Sequence, residues 1–310
     1  MFYKENFSMK TRYLLILIFL VMTSIQEASA QQDPQYTQYM YNMNVVNPAY
    51  AGSKENLSVG ALYREQWSGI GGAPETFTFN AHTPVGNNLG IGISAIGDQN
   101  GPVDETNVYA DISYTLDLGS ASKLAFGLKA GATFQSIGFT DLYVQDPTDP
   151  AFQDDISETY PSVGAGFLFY TEKLYVGLSI PNFISSTHLE VEGREFGSEA
   201  PHYFLTAGYV FDVNDFIKFK PSTLVKSELN SEVSFDLNAN FLFYDRFEIG
   251  ASYRYEDAIS ALASVRATDW MQVGFAYDAT RSSLNEPSYE AFVIFDIFFK
   301  KKTYVSPRYF

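Results

Sequence analysis

The 310-residue chain has no cysteine and only three histidines. Disulfides, thiolate metal sites and a thiol nucleophile are therefore out of reach. His82, His188 and His202 stand far apart, with no ligand spacing between any pair, so no metal centre or other cofactor is expected. Positive charge is scarce as well: 20 Lys and Arg face 36 Asp and Glu, a net charge of −16. Nucleic acid is excluded as a partner, because phosphate recognition needs clustered basic side chains. Long apolar runs are missing too. The longest, Leu14 to Met22, falls far short of the ~20 residues that a membrane-crossing helix needs, which excludes a helical membrane protein. No nucleophile motif is present, and an enzyme is not expected; a Ser–His pairing through space stays open at this point.

That one apolar run has a different use. Lys4, Lys10 and Arg12 precede it, and Ala28-Ser29-Ala30 follows with the small residues that signal peptidase cuts, so residues 1–30 read as a secretory signal and the mature chain is expected to begin at Gln31. An exported protein of this size without disulfides must draw its stability from hydrogen-bonded strands. Composition agrees: aromatics make up 16% of residues, with 27 Phe, 22 Tyr and 22 Gly. Tyrosine suits a lipid headgroup boundary, where the ring is dry and the hydroxyl wet.

What the chain has in quantity is alternation. In Val233-Ser234-Phe235-Asp236-Leu237-Asn238-Ala239-Asn240-Phe241 the apolar residues fall on one face of a strand and the polar ones on the other. The same template fits 108–116, 247–255 and 271–278, and is looser near Pro221, where a bulge or strand end is expected. Strands are predicted at 57–68, 75–85, 88–97, 106–117, 122–136, 160–171, 173–182, 202–211, 215–226, 231–243, 246–256, 259–267, 270–279 and 288–299. The connections are by turns short, as at Gly86-Asn87, Asp212–Asn214 and Tyr244-Asp245, and long, as at 68–74, 98–105, 137–158, 183–201 and 280–287. With no linker that would divide two soluble sandwiches, the expected fold is all-β: a transmembrane antiparallel β-barrel of about fourteen strands over residues 57–299, with a periplasmic tail at 300–310. Phe235, Leu237 and Phe241 should face lipid, while Asp236, Asn238 and Asn240 face the lumen. Strand one should rise from the periplasm, with the long loops outward.

Residues 31–56 have another character, rich in aromatics and amides and nearly free of charge. Asp33-Pro34, Tyr36, Gln38-Tyr39-Met40, Asn42 and Asn47-Pro48-Ala49-Tyr50-Ala51-Gly52, then Tyr63-Arg64-Glu65-Gln66-Trp67 and a closing Ser306-Pro307-Arg308-Tyr309-Phe310, strongly resemble the PorP/SprF family of outer-membrane proteins associated with type IX secretion and, in some members, gliding motility. The resemblance implies the outer membrane as location, and secreted surface proteins or secretion components, with outer-membrane lipid, as partners. It also implies a partnering or anchoring role rather than an enzyme. The alternative is a channel or transporter for small or hydrophobic molecules.

Physical chemistry adds further expectations. Residues 31–56 are expected to pack within or beneath the barrel as a plug, bonding through Gln35, Gln38, Asn42 and Asn47, since such aromatic density is unusual for disorder; the alternative is a periplasmic segment. Pro48 restricts Asn47 to extended geometry, and Ala51 and Gly52 allow a close turn into strand one. Arg64 should enter the lumen and pair with a carboxylate such as Asp111 or Asp236, while Tyr63 and Trp67 face outward. The acidic stretch Asp141 to Glu158 is a solvated outer face more readily than a calcium site, lacking ligand periodicity. Lys300 to Lys302 either snorkel at the boundary or solubilise the chain's exit.

Overall fold

The computed structural model describes residues 35–119, 121–139, 154–184, 201–228, 233–281 and 286–299, and the backbone of 186–191 and 194–199. The expected signal segment, Asp33-Pro34, most of the acidic loop and the 300–310 tail lie outside these residues.

Seven strands follow one another as hairpins: β1 (Leu57–Glu65), β2 (Glu75–Val85), β3 (Leu89–Asn100), β4 (Val103–Asp117), β5 (Lys123–Ile137), β6 (Ile156–Tyr170) and β7 (Leu174–Ile180). A separate ribbon, β8 (Ser186–Val191) with β9 (Arg194–Glu199), precedes β10 (His202–Tyr209) and the short β11 (Phe211–Asn214). The chain continues through β12 (Ile217–Glu228), β13 (Ser234–Phe243), β14 (Phe247–Arg254), β15 (Ala258–Thr268), β16 (Met271–Thr280) and β17 (Ser288–Ile297). All pairings are antiparallel. β1 pairs with β17 at one seam, and β10 pairs with β12 past β11, so fourteen strands close into a ring with β11 as an addition at its rim. Closure leaves no open edge within the ring, which is what lipid requires of a sheet.

The two faces follow the alternation. On β13, Leu237 and Phe241 are exposed while Asp236, Asn238 and Asn240 are buried, as expected; Phe235 is half-buried, stacked at the strand's end on Tyr255. Ile91, Ile93, Val108, Ile112 and Leu128 stand on the outside of neighbouring strands, and Ser94, Asp111, Ser113 and Lys129 on the inside. A soluble core is inverted here: hydrocarbon faces outward and polar groups line the interior.

Several connections differ from expectation. The loop expected at 98–105 is strand almost throughout, because Gly101 at φ +58° allows a tight turn with Pro102 and lets β3 and β4 extend. The turn expected at Asp212–Asn214 is β11, and the chain reverses at Asp215-Phe216 instead. The 183–201 loop carries the β8–β9 ribbon. β12 runs through Pro221 in unbroken register with β13. The interruption lies on its other side, where Lys220-Pro221 falls between the rungs Gly208–Ser222 and Phe211–Phe219. A residue with no N–H thus sits where no neighbour needs one.

Candidate functional site: a lumen filled by the chain's own first residues

Residues 35–56 fold as two single turns, Tyr39–Tyr41 and Pro48–Tyr50, around a short helix α1 (Met43–Val46). Tyr39, Gln38, Asn42, Asn44 and Asn47 are all but inaccessible to solvent. Their partners are inward-facing residues on opposite walls of the barrel. Asn80 on β2 donates to the Asn42 side chain at 2.8 Å, Asn44 donates to Asp111 on β4 at 3.2 Å, and Asn47 donates to the Phe167 carbonyl on β6 at 3.0 Å. Across the lumen, Asn238 on β13 donates to the Tyr39 hydroxyl at 3.3 Å, and Tyr41 donates to Glu248 on β14 at 2.6 Å.

Two devices hold the segment. The first is a charged hub at its beginning. Glu290 on β17 accepts the consecutive backbone N–H groups of Thr37 (2.9 Å) and Gln38 (2.7 Å) with its two carboxylate oxygens. The Thr37 hydroxyl donates to Asp278 at 2.8 Å and lies 3.3 Å from Arg64 and 3.4 Å from Arg254. Arg64 pairs with Asp278 at 2.7 Å and Glu290 at 3.4 Å, and all three side chains are buried.

Arg64 therefore enters the lumen as expected, but with other partners. The antiparallel register decides them. Glu290 is directly opposite Arg64, whereas Asp111 faces Lys129 and Asp236 faces Arg254. Each of those carboxylates is already taken, Asp111 by Lys129 at 2.9 Å and Asp236 by Arg254 at 3.0 and 3.2 Å. A further pair, Lys220 with Glu248 at 2.8 Å, sits beneath Tyr41. Low-dielectric surroundings make an unpaired charge costly, and every lumen charge described here has an opposite within contact distance.

The second device is a wall without side chains. A Cβ on Gly127 of β5 would lie 2.1 Å from the Ala49 nitrogen, and one on Gly166 of β6 would lie 2.1 Å from the Asn47 Oδ1. Gly90 and Gly92 on β3 and Gly177 on β7 make the same room for Ala51, Asn44 and Asn47. The segment's backbone thus lies directly on the barrel wall. Gly52 closes it off at φ +67°, with its own absent Cβ 2.5 Å from Gly90, and donates its N–H to His82 at 3.2 Å. Asn47 is extended (φ −139°, ψ 112°) before Pro48, and its side chain accepts the Ala49 N–H.

The motif residues in the lumen segment, Tyr36, Gln38, Tyr39, Met40, Asn42, Asn47, Pro48, Ala49, Ala51 and Gly52, are brought together in this interior. Of the expected bonding residues, Gln38, Asn42 and Asn47 make the bonds named above, while Gln35 lines a cavity at the segment's start. Tyr63 points outward and donates to Glu75 at 2.9 Å. Gln66 and Trp67 lie past the end of β1, with Trp67 half-buried at φ +49° and its N–H bonded to Ser288. Sequence reading missed Thr37, Asn44, Asp278, Glu290 and the glycine wall. The period-two pattern already put Asp278 and Glu290 on the polar face; the signal for the glycines was their place on that same inward face of β3, β5, β6 and β7.

No curated protein matches the sequence. Among solved structures, the Ralstonia pickettii toluene transporter TbuX is similar over 83% of this chain and 93% of its own, with a TM-score of 0.50 at 11% identity. The Acinetobacter baumannii outer membrane protein Omp33 is similar over 79% of this chain and all of its own, with a TM-score of 0.47 at 7% identity. At 11% identity the likeness to the transporter is one of fold alone, a closed antiparallel barrel. A family model described as type IX secretion system membrane protein PorP/SprF matches residues 28–297, from before the lumen segment to the end of β17. The chain belongs to that family, and its place is the outer membrane.

Proposed function

We propose that the barrel acts as a partner or anchor in type IX secretion, holding secreted proteins at the cell surface, gliding-motility adhesins among them, and that residues 31–56 are a fixed plug rather than a gate. What supports the plug is its attachment to both walls at once: backbone against glycine on β3 and β5, the Asn47 side chain against Gly166 on β6, and backbone N–H groups on Glu290 across the lumen. The family motif in the segment then serves to seat it, and the binding surface is the long-loop end, which in outer-membrane barrels faces outward. Binding would be an interface event in which apolar anchors supply affinity and acidic loops steer the approach.

The family and fold are those of a secretion-associated membrane barrel rather than of a known enzyme class. The test is affinity purification from native membranes paired with surface retention. A secreted surface protein should co-purify with the barrel and be shed into the medium when the barrel is deleted. Retention without the barrel, together with steady single-channel conductance from the purified protein, would favour the channel alternative.

A further inference from the structure

At the long-loop end, above the plug, lies a partly open cavity of about 80 Å³. Its floor is the plug itself: Tyr36, Tyr39 and Val46. Its walls come from the upper ends of strands on both sides, with Ile96 and Tyr109 on β3 and β4 facing Phe204 and Leu224 on β10 and β12. That is room for a single apolar side chain, and the lining has the usual character of a ligand site, aromatic and aliphatic surface with a few placed polar groups.

We propose that this vestibule is a blind docking pocket for one apolar side chain of an extended peptide segment presented from outside by a surface partner. The inference rests on the anchoring role proposed above and names the site and the chemistry of what it holds. Three features select a peptide over a free hydrocarbon. Below the cavity the segment is fixed to glycine backbone, so a guest arriving from outside has no onward path and is retained rather than passed. The apolar walls also carry hydrogen-bonding groups at their rim: the Asn182 carboxamide, whose Oδ1 accepts the Ile184 N–H while its nitrogen is left over, and the Ser234 hydroxyl. Main-chain amides use such groups and hydrocarbons do not. Finally, the charges at this level are of both signs and partly compensated, Asp236 by Arg254, with Glu105 and Lys226 on opposite walls. An uncharged apolar segment meets no net field there.

The absence of native cysteine makes a direct test possible. Leu224→Cys or Ser234→Cys gives the chain one thiol in the pocket, and Ser58→Cys gives one at the buried short-turn end; each is probed on intact cells with a membrane-impermeant maleimide. Pocket thiols should label in cells that export no surface proteins and lose that labelling in secreting cells, while Ser58→Cys stays unlabelled in both. Leu224→Glu should release the retained surface protein without lowering the amount of folded barrel. Equal labelling in both kinds of cell, with the surface protein still retained by Leu224→Glu, would overturn the pocket and leave the anchoring role standing. Protection that persists without secretion would mean a small apolar compound, and would overturn the peptide assignment. Retention of the surface protein in cells without the barrel would instead defeat the anchoring role itself.

Discussion

Arg64 shows how a single lumen residue can be both structural and diagnostic. It neutralises Asp278 and Glu290, and those two carboxylates hold the Thr37 hydroxyl and the Thr37 and Gln38 N–H groups. Arg64→Met removes the cation and leaves two buried acids facing each other, so the barrel should lose about 3–5 kcal/mol, the usual cost of breaking a buried pair. The measurement is the temperature at which the folded band converts to the unfolded one on semi-native gels. Adding Asp278→Asn and Glu290→Gln to Arg64→Met should recover most of that loss, since no unpaired charge then remains. If the triple variant is as unstable as the single one, charge balance is not what Arg64 supplies. The sense of Arg64, pointing into the lumen, was legible from the alternation around Tyr63. Its partners were not, because they depend on the register between strands 226 residues apart in the chain, and no local pattern encodes that register.

At the scale of elements, the glycine wall and the segment it carries form one unit. Gly127→Val puts side-chain carbon where the Pro48–Ala49 backbone now lies, which cannot yield as a flexible side-chain tip would, and Gly166→Val puts it into the buried Asn47 carboxamide and the Pro48 ring. Both variants should unseat residues 44–51, read as protease cleavage of the N-terminal segment in intact vesicles while the strands stay protected. Gly97→Ala, with open space around it, should leave the segment as protected as in the parent chain. Strand positions were read well from sequence because each strand meets hydrocarbon on one side and polar groups on the other, a period-two constraint written into every residue. The errors cluster at strand ends. The β3–β4 hairpin, β11 and the β8–β9 ribbon project beyond the layer where lipid enforces alternation, so their sequences carry a weaker pattern. The segment at 35–56 was legible only as an anomaly, aromatic and nearly uncharged; its contacts with the barrel wall were not, because a glycine that makes room looks the same in sequence as one that merely turns.

For the whole molecule, the proposed plug makes a simple electrical prediction. The purified barrel in planar bilayers should show no steady open state, whereas Gly127→Val combined with Gly166→Val should show recurrent openings as the segment leaves its seat. A large constant conductance from the parent chain would contradict a fixed plug. The fourteen-strand ring and the outer-membrane location were both within reach of the sequence. The long-loop vestibule was not, because it is assembled from strand tips and plug residues that only closure brings together.

The direction of the segment carries one more implication. Thr37 is fixed near the tips of β1 and β17 at the long-loop end, and Gly52 near the β2–β3 turn at the short-turn end, so the chain descends the full height of the lumen before its first strand begins to climb. β1 and β17 then zip together directly beside Thr37. The carboxylate that anchors the segment stands on β17 and the cation that balances it on β1, so joining the last seam of the ring also completes the segment's anchor.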